Sequence, residues 1–371
     1  VHASPLAMAN KLPPPSVWIN SKRCTFGSSV FDSILSTSSS LRDLPSTDNS
    51  SANPTLPSNP LHYDRTLISL KQDYDGQLRL LPASFSDSGN SSARRIPFGR
   101  SRSYSPLGSH ACPTTVSATQ TATQAKLLSQ GSGNKNGAVR RFVQLAVVGL
   151  VVSPQNEILI TRRPSYMRSF PGAWVFPGGS VDATDDSLEA AIAREVWEET
   201  GLQTEPSTNA LDAAAGGEAS GGGWTIESIW ESVFPTIPEP GVPIRRHHLV
   251  VYLSIKLSEG EMSEMSLKLC DEEVDAAVWL SPENVDSILA NSLSPETADA
   301  VMPKEEILVD LLTTSNDKMV TKTDEKEALR HLSGIYPSFD DDTSSEHPFG
   351  MAQGSLFALM EHCHRHRRRN I

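Results

Sequence analysis

Residues 176–202, FPGGSVDATDDSLEAAIAREVWEETGL, constrain this chain more than any other stretch, because a Pro/Gly loop runs directly into a helix with two unlike faces. Ser187 is placed to cap the first turn, Leu188, Ala191, Ile192 and Val196 fall on one apolar stripe, and Gly201 is the expected stop. Glu195, Glu198 and Glu199 share the other side at spacings of three and four residues. Like charges so placed cost an exposed helix only about 0.2–0.5 kcal/mol per pair, so a solvated acidic face is one reading of the cluster. The other is a cation site. Glycines before the helix let a ligand approach the backbone, and grouped carboxylate oxygens suit a hard divalent ion, Mg²⁺ or Mn²⁺.

Strand signals stand upstream of that helix. VRRFVQLAVVGLVV, from residue 139, is rich in β-branched residues and ends at the turn signal Ser153-Pro154-Gln155-Asn156, so EILITRR is its natural hairpin partner. PSYMRSFPGAWVFPGG then reads as a loop that leads into a short strand around residues 174–176. These elements predict an α/β domain over residues 139–285.

The rest of the chain reads differently. A length of 371 residues has room for two domains, yet only 38% of the residues are hydrophobic and 26 are proline, which favours one globular domain with tails. Residues 1–138 are Ser/Thr/Pro-rich and expected to be mostly disordered, apart from a small β-hairpin at 66–82 around the Asp75-Gly76 turn signal. Residues 207–223, Gly- and Ala-rich, read as a flexible insertion. Residues 286–371 form an extension in which PKEEILVDLL, DEKEALRHL and GSLFALMEHCHRHRRR show helical periodicity, suited to packing on the domain or covering its cleft. The basic end HCHRHRRRN reads as a solvated tail or as a contact for RNA or another anion.

Composition excludes several classes. A net charge of −12 argues against coating nucleic acid by bulk electrostatics and points to a small partner. Cys24, Cys112, Cys270 and Cys363 lie far apart without a C-x-x-C pair, so spacing reveals neither a zinc site nor a disulfide framework, and a reduced intracellular setting, cytoplasmic first, is expected. No run of about 18 apolar residues exists to span a membrane. The chain begins at Val1 with its first methionine at Met8, and residues 8–31 hold Lys11, Lys22 and Arg23 but no acid before Phe31. That stretch reads as a polar leader or, alternatively, an organelle transit segment. Oligomeric state is not written in the sequence.

The run from Gly179 to Leu202 resembles the Nudix box, G-x5-E-x7-R-E-U-x-E-E-x-G-U with U aliphatic. Arg194-Glu195-Val196-Trp197-Glu198-Glu199-Thr200-Gly201-Leu202 matches its second half at every position. The first half departs: seven residues back from Arg194 stands Asp186 in place of Glu, and Gly179 is then one residue early. The resemblance implies an α/β/α sandwich around a mixed β-sheet and hydrolysis of a diphosphate in a nucleoside diphosphate derivative. It implies that Glu195, Glu198 and Glu199 bind Mg²⁺ or Mn²⁺, that Arg194 orients them, and that one glutamate or an acid outside the box acts as general base. Glu272 and Glu273, in DEEVDAAVWLSPENV, are the outside candidates, against the reading of a solvated turn. A Nudix-like module that binds a nucleotide without turnover is the competing class.

Two finer resemblances point to different substrates. Leu159 to Pro164, then Arg168, Gly172 and the glycines Gly178 and Gly179, is similar to the coenzyme A diphosphatase signature and fails clearly only at Pro164; the longer loop with Asp182 and Asp185 also resembles that group. SIWESVFP, HHLVVYLSIKL and VDAAVWLSP resemble the subfamily called nucleoside diphosphate-linked moiety X motif 17, for which capped RNA is among the proposed substrates. NADH-like dinucleotides are a further class. Arg163 and Arg168 are the candidates for substrate phosphate, because a guanidinium fork matches phosphate oxygens, whereas His247 and His248 read as structural.

Overall fold

A computed structural model of the chain describes residues 17–19, 22–23, 30–31, 63–72, 78–82, 95–101, 143–204, 223–234, 246–264, 267–293, 308–315, 318–328 and 350–369, and the following account concerns these. In chain order the strands are β1 (Val17–Ile19), β2 (Lys22–Arg23), β3 (Tyr63–Gln72), β4 (Leu78–Pro82), β5 (Ile96–Ser101), β6 (Gln144–Val152), β7 (Ile158–Arg162), β8 (Ala173–Val175) and β9 (Gly178–Ser180). Helix α1 (Leu188–Thr200) follows, then β10 (Thr225–Phe234), β11 (Arg246–Lys256), α2 (Glu259–Glu264), β12 (Ala276–Leu280) and α3 (Pro282–Leu293). Strands β13 (Leu308–Ser315), β14 (Lys318–Ala328) and β15 (Gly350–Met351) precede the last helix, α4 (Gln353–Arg369).

One mixed sheet runs in the order β14-β13-β12-β7-β6-β11-β10-β5-β3-β4-β1-β2, with β9 on β6, and β8 joined to β7 and β15. Within it β6 lies parallel to β11 from Gln144↔His248 to Val152↔Lys256. The expected hairpin of β6 and β7 forms through Val152↔Ile158, and Asn156 takes the positive φ of 66° that the turn needs. Alternating side chains split the core in two. Val147, Val151, Leu249 and Val251 pack with Ile192 and Val196 of α1, whereas Leu150, Trp230 and Tyr252 pack with Leu356, Phe357 and Met360 of α4. The sheet is thus sandwiched between the acidic helix and the C-terminal helix, the α/β/α arrangement expected.

Two readings of the flanks need correction. The hairpin expected at 66–82 forms as β3 and β4, in register from Ile68↔Pro82 to Gln72↔Leu78, although its turn residues lie outside the described set. It is not an appendage. β3 pairs with β5, β5 pairs parallel with β10, and Ile68, Leu80 and Phe98 belong to the same core cluster as Ile192. The sheet therefore recruits chain well before residue 139; RIPFGRS hides that strand because Pro97 and Gly99 interrupt any period. Gly99 is there for space, since a Cβ would come within 2.9 Å of Phe357 and Trp230.

At the other end, PKEEILVDLL and DEKEALRHL were expected to be helical, but β13 and β14 occupy their described parts as antiparallel strands. β13 is added to β12 through Ala277↔Leu312. The edge of β12 offers backbone partners, and residues such as Val309, Thr313, Val320 and Thr321 suit a strand, so tertiary pairing overrides the 3.6-residue pattern. Only the last segment is helical as expected, as α4, and it packs on the sheet face opposite α1. Residues 205–222, which contain most of the expected insertion, lie outside the described set.

Candidate active site

Helix α1 starts and stops on the residues its sequence marks. Ser187 Oγ accepts from the Ala190 N–H at 3.1 Å, and Gly201, with φ of 72°, donates its N–H to Trp197 O at 2.8 Å. Leu188, Ala191, Ile192 and Val196 are all buried, which sets the rotation of the helix and so the direction of its glutamates. Strand β9 lies beside that acidic side, held to β6 by Val147↔Gly179 and Val148↔Gly178.

Two glycines make the close approach possible. Gly178 has φ of 155°, and a Cβ there would stand 2.2 Å from Val147 O. At Gly179 a Cβ would stand 2.5 Å from Glu195 Oε2, so the carboxylate lies directly against the backbone. The Gly178 N–H donates to Glu199 Oε2 at 3.3 Å. The glycine strand and the acidic helix are therefore one unit.

Arg194 organises the open side. Its Nη1 donates to Glu195 Oε1 at 2.9 Å and Glu198 Oε2 at 3.0 Å, its Nε and Nη2 hold Asp185 at 3.0 and 2.9 Å, and Nη2 also reaches Ser180 O at 3.1 Å. Hydrogen bonding to Asp185 foremost holds the guanidinium above its ordinary range, so it stays charged. Glu198 is exposed, whereas Glu195 and Glu199 are buried. Burial pushes the Glu195 carboxyl above its ordinary value, against the pull of Arg194, and Glu198 and Glu273 add repulsion. Burial also pushes Glu199 well up, opposed by the charge of Arg163 and reinforced by Glu273 and Glu195.

The segment 268–274 is docked on the end of α1: the Lys268 N–H donates to Thr200 O at 2.7 Å and the Cys270 N–H to Glu199 O at 3.0 Å. This brings Glu273 close enough to act on both buried carboxyls. Glu272 differs, since its contact on this side is its carbonyl, which accepts from Tyr166 Oη at 3.1 Å. Oxygen-only donors, partly desolvated and mutually repelling, fit a hard divalent cation.

Residues 143–304 match the NUDIX domain family. The chain carries a NUDIX domain. It is similar to the m7GpppN-mRNA hydrolase NUDT17 of Xenopus laevis, 38% identical over 152 residues that make up 40% of this chain and 45% of that protein. The NUDT17 protein of Danio rerio is 34% identical over 151 residues, with coverage of 40% and 45%. The chain thus spans about half the length of the curated relatives it matches. A shorter likeness, 48% over 59 residues, covers 16% of this chain and 31% of the uncharacterized Nudix hydrolase NudL of Enterobacter sp. (strain 638). Among solved structures, the MutT protein from Methanosarcina mazei Go1 is 25% identical over 40% of this chain and 81% of that one, at a TM-score of 0.27.

Within the NUDIX domain the structure brings Arg194, Glu195, Glu198, Glu199, Gly178, Gly179 and Glu273 together. Arg163 lies near enough to act on Glu199, with its Nε on Ser169 O at 3.2 Å, while Arg168 is exposed on the surface of the same loop. Asp186, reached by counting back from Arg194, is exposed; the acid that Arg194 holds is Asp185. Counting forward from Gly179 would have found it, because G-x5 ends on Asp185 and the additional residue of the loop falls after the acid. Asp185 also closes its own loop by accepting from the Asp182 N–H at 2.7 Å. Tyr166, an exposed aromatic whose Oη donates to Asp271 O at 2.9 Å, ties the Arg163 loop to the Glu273 turn, and no sequence pattern marks it.

Proposed function

We propose that this chain is a metal-dependent Nudix hydrolase that cleaves the diphosphate linkage of a nucleoside diphosphate derivative, with capped RNA as the substrate class tested first. The observation that carries the reading is the joint burial of Glu195 and Glu199 against Gly179 and Gly178, with Glu273 beside both, a set of like charges that a divalent cation would satisfy. The similarity to NUDT17 proteins named as mRNA hydrolases supports capped RNA over coenzyme A.

In this reading Glu195, Glu198 and Glu199 hold Mg²⁺ or Mn²⁺, which would supply charge neutralisation at the phosphate oxygens and a lowered pKa for an attacking water. The chain's own contribution is placement. Arg194 fixes Glu195 and Glu198 in orientation, the glycine strand lets the Glu195 and Glu199 carboxylates lie against its backbone, and Arg163 lends positive charge on the loop side. Glu273 is the proposed general base outside the box, since it faces the cluster and is exposed to solvent, which a proton acceptor for water requires.

The test is a turnover panel of capped RNA, coenzyme A, NADH and ADP-ribose with Mg²⁺ or Mn²⁺, products resolved by chromatography. Metal-dependent release of a nucleoside mono- or diphosphate from capped RNA is the expected result. Measurable ligand binding without turnover on any of the four would favour the binding module instead. Efficient cleavage of coenzyme A, reduced about tenfold or more by Arg168→Lys, would move the assignment to that substrate.

A further inference from the structure

On the face of the sheet away from the box helix, a second group of ligating side chains is built from two distant parts of the chain. Glu227 comes from β10, His362 and His366 from successive turns of α4, and one donor atom from each lies within 4.8 Å of the others. We propose that Glu227, His362 and His366 form a zinc-type site that clamps α4 onto the sheet.

The geometry suits such an ion in several independent respects. Histidines at i and i+4 stack on one side of a helix, and these two rings are 4.2 Å apart between centroids. His362 Nδ1 stands 3.5 Å from Glu227 Oε1, close to the separation of about 3.3 Å between two ligands on a tetrahedral ion with bonds of about 2.0–2.1 Å. That nitrogen is buried and makes no hydrogen bond, in a residue only 8% exposed. An orphaned ring nitrogen costs free energy that a metal ion would recover.

The carboxylate is oriented by partners of its own. Ser254 Oγ donates to Glu227 Oε1 at 2.6 Å, and Arg365 Nη1 pairs with Oε2 at 2.6 Å while its guanidinium also reaches the carbonyls of Ile226 and Glu227 at 3.2 and 2.8 Å. These contacts leave Arg365 on the Oε2 side and direct Oε1 towards His362, the role that outer partners of a ligand carboxylate play. His366 is exposed, so the fourth position faces solvent. Two imidazoles and one carboxylate select zinc, or cobalt as its spectroscopic substitute, whereas the all-oxygen set of the box selects magnesium or manganese.

The experiment titrates the full chain with Zn²⁺ by calorimetry in a large excess of Mg²⁺, with Co²⁺ absorption as the second readout. One equivalent is expected to bind despite the Mg²⁺, with the intense visible bands of four-coordinate Co²⁺. His366→Ala, at an exposed position that folding tolerates, should weaken binding about tenfold or more and remove the bands. Glu198→Gln should leave the titration unchanged. No binding under excess Mg²⁺ would overturn the proposal. So would a titration indifferent to His366→Ala, or one lost in Glu198→Gln, which would place the zinc in the box.

Discussion

Glu199 and Glu231 are both sealed from solvent, at 3% and 1% exposure, yet the fold treats their charges in opposite ways. Glu231, on β10, receives His247 Nε2 at 3.0 Å and the N–H groups of Val30 and Phe31 at 2.6 and 3.1 Å. Despite burial, His247 and those two donors hold its carboxyl below the ordinary value. Burial pushes the Glu199 carboxyl well up and Glu273 and Glu195 add to it, while the charge of Arg163 and the Gly178 N–H, at 3.3 Å, oppose the shift without reversing it. A buried charge that is fully partnered by the chain ties elements together, here the segment at residues 30–31 to the sheet. A buried charge left short of partners is the kind that the proposed cation would satisfy.

The largest expected effect breaks the structural member of the pair. Glu231→Ala strands His247 and two backbone donors in the core and should lower unfolding free energy by about 3–5 kcal/mol, read by chemical denaturation. Next comes the proposed metal site. Glu198→Gln removes one proposed anionic ligand at an exposed position, so turnover should fall at least about a hundredfold, equivalent to about 3 kcal/mol, while stability stays within about 0.5 kcal/mol of the parent. Wild-type turnover in Glu198→Gln at saturating Mg²⁺ would remove that residue from the site.

The contrast also marks what could be read from the sequence. The box helix was legible to its caps, because Ser187, the apolar stripe and Gly201 act locally. Glu195, Glu198 and Glu199 were legible because helical spacing alone gathers them. Asp185 was obscured by one added residue in an exposed loop, whose geometry is decided by the guanidinium it meets. The strand β5, the docking of β13 on β12, and the Val30 and Phe31 donors to Glu231 were not legible, since each depends on a partner outside its own segment: β5 on β10, β13 on β12, and Glu231 on residues about 200 positions away. Local pattern carries no information about such pairing.

A smaller effect should separate the two glycines that admit Glu195 and Glu199. Gly179→Ala places a methyl where the Glu195 carboxylate lies, and because that carboxylate ends a flexible side chain it can swing aside, so stability should change by less than about 1 kcal/mol. Displacement of a proposed metal ligand should nevertheless reduce turnover about tenfold. Gly178→Ala meets a backbone oxygen and an unfavourable φ, and should instead cost about 2–4 kcal/mol of stability. Equal stability losses in both would mean that Glu195 is as rigidly held as the backbone.

The smallest effect is a dependence on pH whose sign differs between the two glutamates. A carboxyl raised in the folded state keeps its proton after the unfolded chain has lost it, so Glu199 and Glu195 make stability fall as pH rises from the ordinary value of 4.5 to their raised native values. Glu231, lowered in the folded state, contributes stability above 4.5 that is lost as pH falls through its native value. The proposed divalent cation would bind the deprotonated carboxylates, so it should cancel the first slope and leave the second. The stability difference between protein with Mg²⁺ and metal-free protein should therefore widen as pH rises above 4.5 towards the raised native values of these carboxyls, on the order of 1 kcal/mol or a few degrees in Tm. In Glu199→Gln the widening should shrink, whereas loss of stability below 4.5 should persist. A metal effect that is flat across this range would mean that Glu199 and Glu195 are already ionised without the cation, and the two buried glutamates would then differ in partners but not in charge.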